Sequence, residues 1–223
     1  MCENWSGRMR AFYDWLGSLI CHQLPERSLM INETVLPVCA RDTGIYIGMF
    51  VSLVYLMIKK RWKCDKPPAL KITVILCLMI IPMGVDGVSS YLGLRSTTNI
   101  IRIITGALFG MTLPFFLMPI AHFKVFAINT RPSLIAVKEI IIVTAVVLIG
   151  CMAVYMGMFP SWWVISTIIL VTILFIYYRL CYTIVCQVFS HMQKGKIVVA
   201  LLLQLVVFST LYVLRYYVLV YFL

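Results

Sequence analysis

Six long and almost uninterrupted apolar stretches constrain the fold more than any other feature of this chain. They cover residues 43–58, 71–93, 99–121, 138–158, 162–188 and 197–222. A helix needs about 20 residues to cross a hydrocarbon core about 30 Å thick. The first stretch is short, so we expect its helix to begin before Thr43. Barrel strands alternate in polarity and are shorter. The sequence therefore predicts an all-α, polytopic transmembrane helical bundle of about six spans.

The composition supports a membrane protein. The chain is 62% hydrophobic and 12% charged, whereas a soluble domain is roughly 45–50% apolar and about 25% charged. The surplus apolar surface has to face lipid. A net charge of +11 is also typical of nucleic-acid binders, but these charges fall in short runs between the apolar stretches. We therefore expect the lipid bilayer, and no nucleic acid, as the partner.

The lysines predict the orientation of the bundle. With six spans, every lysine lies in or beside the loops on one side of the membrane, in runs such as Lys59-Lys60-Arg61. Basic loops stay in the cytoplasm. The sequence thus predicts a multi-pass plasma-membrane protein with both termini outside.

Residues 1–42 differ from the transmembrane domain predicted over 43–223. An apolar stripe with helical spacing indicates an amphipathic helix lying in the outer membrane interface. The stripe contains Ala11, Phe12, Trp15, Leu16, Leu19 and Ile20. We expect this helix to end near Cys21, and Pro25 predicts an irregular segment after it.

Metal-ligating residue types gather in this outer segment. Cys39 and Asp42 have the i, i+3 spacing that brings two ligands together on a helical turn, and Cys21 is followed directly by His22. Cysteine and histidine favour zinc or copper over magnesium or calcium. These four residues are the predicted metal ligands. Two alternatives stay open, namely a Cys21–Cys39 disulfide, structural or redox-active, and a pair of unlinked buried thiols.

Asp86 lies in the outer third of the second span, where an ionised carboxylate needs a partner or a polar cavity. Arg102 and Arg95 are the expected ion-pair partners. Alternatively, Asp86 binds a cation or proton, with Ser89 and Ser90 on the same face. Pro82, Gly84 and Gly87 then break or kink the helix, as in a transporter or channel.

Two arginines of the outer segment have two interpretations. Arg27 and Arg41 either bind an anionic head group or pair with the acidic residues beside them, Glu26 and Asp42. We find no P-loop, GxGxxG, HExxH or GxSxG motif, so ATP hydrolysis and dinucleotide binding are disfavoured and no enzyme class is indicated.

The strings CHQ-x-PERS, PVCAR-x-TGIYIG and DGVSSYLGLRSTTNIIRIITGALFG, which fall within residues 21–110, resemble a family of small bacterial and archaeal membrane proteins known as domain of unknown function 2085. The resemblance implies a membrane location and an important outer-face cluster, and it implies no reaction. The family pattern leads us to expect Cys where this chain has Asp42, and Gln where it has Ser90. A carboxylate can replace a thiolate at zinc, so Asp42 in place of the expected cysteine favours a metal site over a dithiol.

The leading functional hypothesis is a membrane protein with an outer-face metal site that serves metal handling or chemistry on a lipid-borne substrate. A transporter or channel using Asp86 is one alternative. A structural subunit with a Cys21–Cys39 disulfide is the other.

Overall fold

The computed structural model describes residues 2–123, 128–159, 161–189 and 194–222. Six of its helices are long and apolar enough to cross a membrane, which confirms the predicted fold class. The elements, in chain order, are α1 (Cys2–Ser18), a 3-10 turn (Pro25–Arg27), β1 (Ser28–Ile31), β2 (Thr34–Cys39), α2 (Ala40–Ile58), α3 (Leu70–Tyr91), α4 (Asn99–Ile120), α5 (Val137–Tyr155), α6 (Trp162–Val188) and α7 (Lys196–Phe222).

Helices α2 and α4 form the centre of the bundle because glycines allow their backbones to touch. A methyl group at Gly44 would collide with the carbonyl oxygen of Ile103, and one at Gly110 would collide with that of Ile45. Close packing of this kind is the main source of helix association in lipid. Helices α3 and α7 lie at the edge, with only 17% and 11% of their apolar stretches buried.

Residues 7–39 form a cap over one end of the bundle, which we call the cap end. Helix α1 packs on β2 and on the start of α6. The Tyr13 hydroxyl lies 3.0 Å from the Thr167 hydroxyl, and the Trp162 indole N–H donates to the Val35 carbonyl over 2.8 Å. These bonds fix the cap to the transmembrane helices.

The apolar stripe predicted for α1 has two different surroundings in the structure. Leu16 is buried against the protein, whereas Phe12 and Trp15 are each 48% exposed. The buried face instead includes Gly17, where a methyl group would collide with the carbonyl oxygen of Pro37. The close approach to β2 therefore decides which face of α1 turns inward, while the exposed Trp15 ring lies 6.4 Å, centroid to centroid, from the Tyr212 ring of α7.

The segment after Pro25, which the sequence predicted to be irregular, contains a β-hairpin. Strands β1 and β2 pair antiparallel, with Met30 opposite Val35. Asn32 and Glu33 form its two-residue turn, and both have positive φ angles, 49° and 61°. Positive φ at both central residues is characteristic of a type I′ turn, which matches the twist of a hairpin. The hairpin delivers Cys39 to the first turn of α2.

The opposite end of the bundle is held by polar contacts between loops. Arg61 donates to the Glu139 carboxylate over 2.9 Å, and the same carboxylate accepts the backbone N–H of Ile135 over 2.8 Å. Asp65 accepts the backbone N–H of Arg131 over 2.7 Å. The basic loops after α2 and α4 therefore lie together, at the end remote from the cap.

Candidate metal centre at the cap end

Cys39 and Asp42 meet on the first turn of α2, as their spacing predicted. Cys39 has extended backbone angles and precedes the helix. Its thiol donates to the Asp42 carboxylate over 3.2 Å. A sulfur and a carboxylate oxygen thus lie side by side where the chain passes from β2 into α2.

Cys21 reaches the same place from the end of α1. Its backbone N–H donates to the Gly17 carbonyl over 3.0 Å, so the chain continues to coil just beyond the helix. Its sulfur accepts the backbone N–H of Cys39 over 3.2 Å and that of Gln23 at 3.5 Å. Backbone N–H groups directed at a sulfur stabilise its ionised form, so they suit a metal-binding thiolate.

The two thiols influence each other's ionisation. A hydrogen bond from the Cys21 thiol lowers the pKa of Cys39, and the same bond together with burial raises the pKa of Cys21. Both cysteines are free thiols. The disulfide that the sequence left open is therefore not formed in this structure.

Cys21, Cys39 and Asp42 form a compact group of three. One ligand atom from each lies within 4.8 Å of the other two. Zinc–thiolate bonds of about 2.3 Å and zinc–carboxylate bonds of about 2.0–2.2 Å place tetrahedral ligand atoms roughly 3–4 Å apart. Side-chain adjustments of about an ångström would bring the three ligand atoms from separations of up to 4.8 Å to the spacing that zinc requires. The group therefore fits zinc.

His22, the fourth predicted ligand, lies outside this group. It is exposed and lines a cavity beside the thiols. Adjacent residues point in different directions in most backbone conformations, so Cys21 and His22 do not converge on the same point.

Asp86 lies at the cap end and pairs with Arg95 as predicted, but its shorter ion pair is with Arg41. Its carboxylate pairs with Arg41 at 2.5 Å and with Arg95 at 3.1 Å, and its side chain is 2% exposed. Arg102, an expected partner, instead donates to the Asn99 side chain over 3.0 Å. Arg41 likewise pairs with Asp86 and not with its neighbour Asp42. Asp86 is therefore connected to the candidate metal centre through Arg41.

The predicted break in the second span is absent. Helix α3 continues from Leu70 to Tyr91 with Pro82 inside it. Nothing lies within 4 Å of a methyl group built at Gly84 or Gly87, so neither glycine serves a close approach. The two serines beside Asp86, Ser89 and Ser90, have different surroundings. The Ser89 hydroxyl donates within its own helix to the Asp86 carbonyl over 3.4 Å, whereas Ser90 lines the cavity beside the thiols.

Sequence reasoning missed the role of Gln23. Its side-chain amide donates to the backbone carbonyls of Asp14 and Pro37, over 2.7 and 2.8 Å. Gln23 has a φ of 55°, so the chain turns sharply directly after Cys21. The amide joins α1 to β2 and thereby holds the two cysteines at a fixed separation. Gln23 lies between the cysteine and the proline of the motif CHQ-x-PERS. That position was the feature of the sequence that could have indicated its role.

Comparison with known proteins identifies the part of the chain that holds the site. Residues 21–116 match the family described as "Predicted membrane protein (DUF2085)". This range includes Cys21, Cys39, Asp42 and Asp86.

Two archaeal relatives each align with somewhat less than half of the chain. Uncharacterized protein MJ1492 from Methanocaldococcus jannaschii is 42% identical over 104 residues, which are 46% of this chain and 64% of the relative. The alignment thus spans less than two thirds of that protein. An uncharacterized protein from Methanothermobacter thermautotrophicus is 35% identical over 96 residues, 42% of this chain and 80% of the relative. No solved structure matches the chain. The chain belongs to the DUF2085 family of predicted membrane proteins.

Proposed function

We propose that this membrane protein binds a zinc ion at its cap end, with Cys21, Cys39 and Asp42 as ligands. The observation that supports this is the approach of three ligand atoms, from two different segments, to within 4.8 Å of one another. Two sulfurs disfavour magnesium and calcium. The carboxylate favours zinc over copper(I), which prefers sulfur alone.

The immediate surroundings of the ligands also suit a metal site. The Cys21 sulfur accepts two backbone N–H groups, which orient it and would stabilise the thiolate that a bound metal requires. Zinc is usually four-coordinate, and three protein ligands leave a fourth position, as in catalytic zinc sites. A cavity of about 370 Å³ beside the ligands provides room there for water or a small ligand. Zinc bound in this way would act as a Lewis acid.

The site would face the outside of the cell. The cap lies at the end of the bundle remote from the loops that hold Lys59, Lys63 and Lys66, and basic loops of membrane proteins stay in the cytoplasm. In this orientation the two termini and the zinc ligands lie at the outer face of the plasma membrane.

A competition titration tests zinc binding. Purified protein competes with a chromophoric chelator for zinc, and we expect one zinc per chain. Cys39→Ser and Asp42→Asn should weaken binding by at least about tenfold, the usual loss when a metal ligand or its immediate support is removed. Cys77→Ser is the matched control, because Cys77 is an exposed thiol on α3.

His22→Ala separates a ligand from a residue that only lines the cavity. Since His22 lies outside the group of three, the variant should bind zinc nearly as tightly as the wild type. The proposal fails if the wild type binds no zinc, or if Cys39→Ser and Cys77→Ser bind it equally well.

A further inference from the structure

The cavity beside the thiols is lined by three arginines from three separate elements. Arg27 comes from the 3-10 turn, Arg41 from α2 and Arg102 from α4, and they share this cavity of about 370 Å³ with Asp42 and the two cysteines. Three guanidinium groups around one cavity repel one another unless an anion lies among them.

The acidic residues nearby do not neutralise these arginines. Asp42 is the one carboxylate among the described residues that line the cavity. Asp86 pairs with both Arg41 and Arg95, so its charge is already balanced by the second arginine. A divalent metal held by two thiolates adds no net charge. The cavity therefore keeps a surplus of two positive charges with or without zinc.

Several guanidinium donors that belong to the cavity lack protein partners. Arg102 is 9% exposed, and among the described residues its guanidinium makes one hydrogen bond, to the Asn99 side chain. The Arg41 Nε is buried without a partner. Arg27 donates its backbone N–H to the Leu24 carbonyl, but its guanidinium makes no ion pair or hydrogen bond within the described part of the chain. Arg102 is thus a buried cation without an ion-pair partner among the described residues, which is costly, and the unpaired donors of Arg27 and Arg41 beside it suit an anionic ligand.

We propose that the arginine cavity, formed by Arg27, Arg41 and Arg102, binds a phosphate group. Guanidinium groups bind phosphate oxygens in pairs and are the preferred ligands for such anions. The cavity lies at the cap end of the transmembrane helices, where both a lipid phosphate head group and a free phosphate ion are within reach. The proposal goes beyond the zinc site and does not depend on it.

A binding experiment in a phosphate-free maltoside detergent tests the proposal. Full-length protein is titrated with inorganic phosphate in one arm and with short-chain phosphatidic acid in the other. Bound ligand is counted by native mass spectrometry. We expect one bound phosphate group per chain in at least one arm. Tighter binding of phosphatidic acid identifies a lipid head group as the source, and equal or tighter binding of inorganic phosphate identifies the free ion.

Variants test the three arginines. Arg27→Gln, an exposed position that should fold normally, and Arg102→Gln should each weaken phosphate binding by about tenfold or more, the loss expected for a charge-assisted hydrogen bond. Arg131→Gln, at the opposite end of the bundle, is the control and should bind as the wild type does.

Chelation separates this proposal from the zinc site. Phosphate binding should persist after zinc removal and in Cys39→Ser. Loss of binding on chelation would show that the anion binds through the metal, and would overturn the proposal. Absence of saturable binding in both arms, or equal binding by Arg27→Gln and the wild type, would also overturn it.

Discussion

The guanidinium of Arg41 lies 2.5 Å from the carboxylate of Asp86 and links the start of α2 to the last part of α3. The Asp86 side chain is 2% exposed and that of Arg41 is 24% exposed. Arg41 lies between Cys39 and Asp42 in sequence, so this ion pair also positions the helical turn that carries two proposed zinc ligands. An intramembrane carboxylate often marks a transport path, but the Asp86 carboxylate is already paired with two arginines.

Asp86→Asn should destabilise the protein by about 2–3 kcal/mol, because it leaves a largely buried arginine without its counter-charge. The free energy of unfolding in mixed detergent micelles measures this loss. Arg95→Gln removes the more exposed partner, whose side chain is 52% exposed, and should cost less than about 1 kcal/mol. Equal losses in the two variants would contradict this account of the pair.

Glycine substitutions test the central helix pair. Gly110→Ala should destabilise the bundle by about 1–3 kcal/mol, because its methyl group meets the backbone of α2. Gly84→Ala is the matched control. Its methyl group enters open space, so stability should stay unchanged or rise by up to about 1 kcal/mol. Comparable destabilisation by both substitutions would show that the contact of α2 with α4 is not what requires glycine at position 110.

Gln23→Ala should loosen the cap. It removes two hydrogen bonds and leaves the buried carbonyl of Pro37 unpaired, which costs about 1–3 kcal/mol. Because Cys21 is 8% exposed, its alkylation depends on opening of the cap. The rate of alkylation at Cys21, followed by peptide mass spectrometry, should therefore rise by about tenfold or more.

Glu33→Gln is the control for Gln23→Ala, since Glu33 is exposed in the turn of the hairpin. Its alkylation rate at Cys21 should match that of the wild type. An unchanged rate in Gln23→Ala would mean that the amide does not hold the cap closed.

Cysteine labelling in intact cells tests the proposed orientation. A membrane-impermeant maleimide should modify the introduced cysteine of Glu33→Cys at the cap end and leave that of Lys63→Cys, in the loop after α2, unmodified until the cells are opened. Peptide mass spectrometry distinguishes the introduced cysteines from the native ones, such as Cys2 and Cys77. Both positions are exposed, so accessibility within the protein does not distinguish them. The reverse pattern would place the cap in the cytoplasm.

The helices could be predicted from sequence because lipid leaves few alternatives. Six apolar stretches of sufficient length have to become helices, and their ends are predicted to within a few residues. Helix α2 begins at Ala40, before Thr43 as expected, and α3 ends at Tyr91 rather than Gly93. The hairpin could not be predicted in the same way. Its strands are short, β2 contains Pro37, and the turn at Asn32 and Glu33 lacks the glycine that often marks a type I′ turn.

The candidate site was predictable where it depends on local spacing. Cys39 and Asp42 meet because one helical turn separates them. Of the two partners of Asp86, Arg95 was predicted and Arg41 was not, because sequence gives the height of a residue in the membrane but not the rotation of its helix. Arg102 is at a suitable height, yet it bonds Asn99 on its own helix, while Arg41 reaches Asp86 from α2. The pairing of Arg41 with Asp86 thus depends on how α2 packs against α3, which the sequence does not give.

X-ray absorption at the zinc edge of the zinc-loaded protein tests the central proposal most directly. We expect a first shell with two sulfurs at about 2.3 Å and oxygen at about 2.0–2.2 Å, and one sulfur fewer in Cys39→Ser. A first shell of nitrogen and oxygen alone, or a sulfur count unchanged by Cys39→Ser, would contradict a zinc site built on Cys21, Cys39 and Asp42.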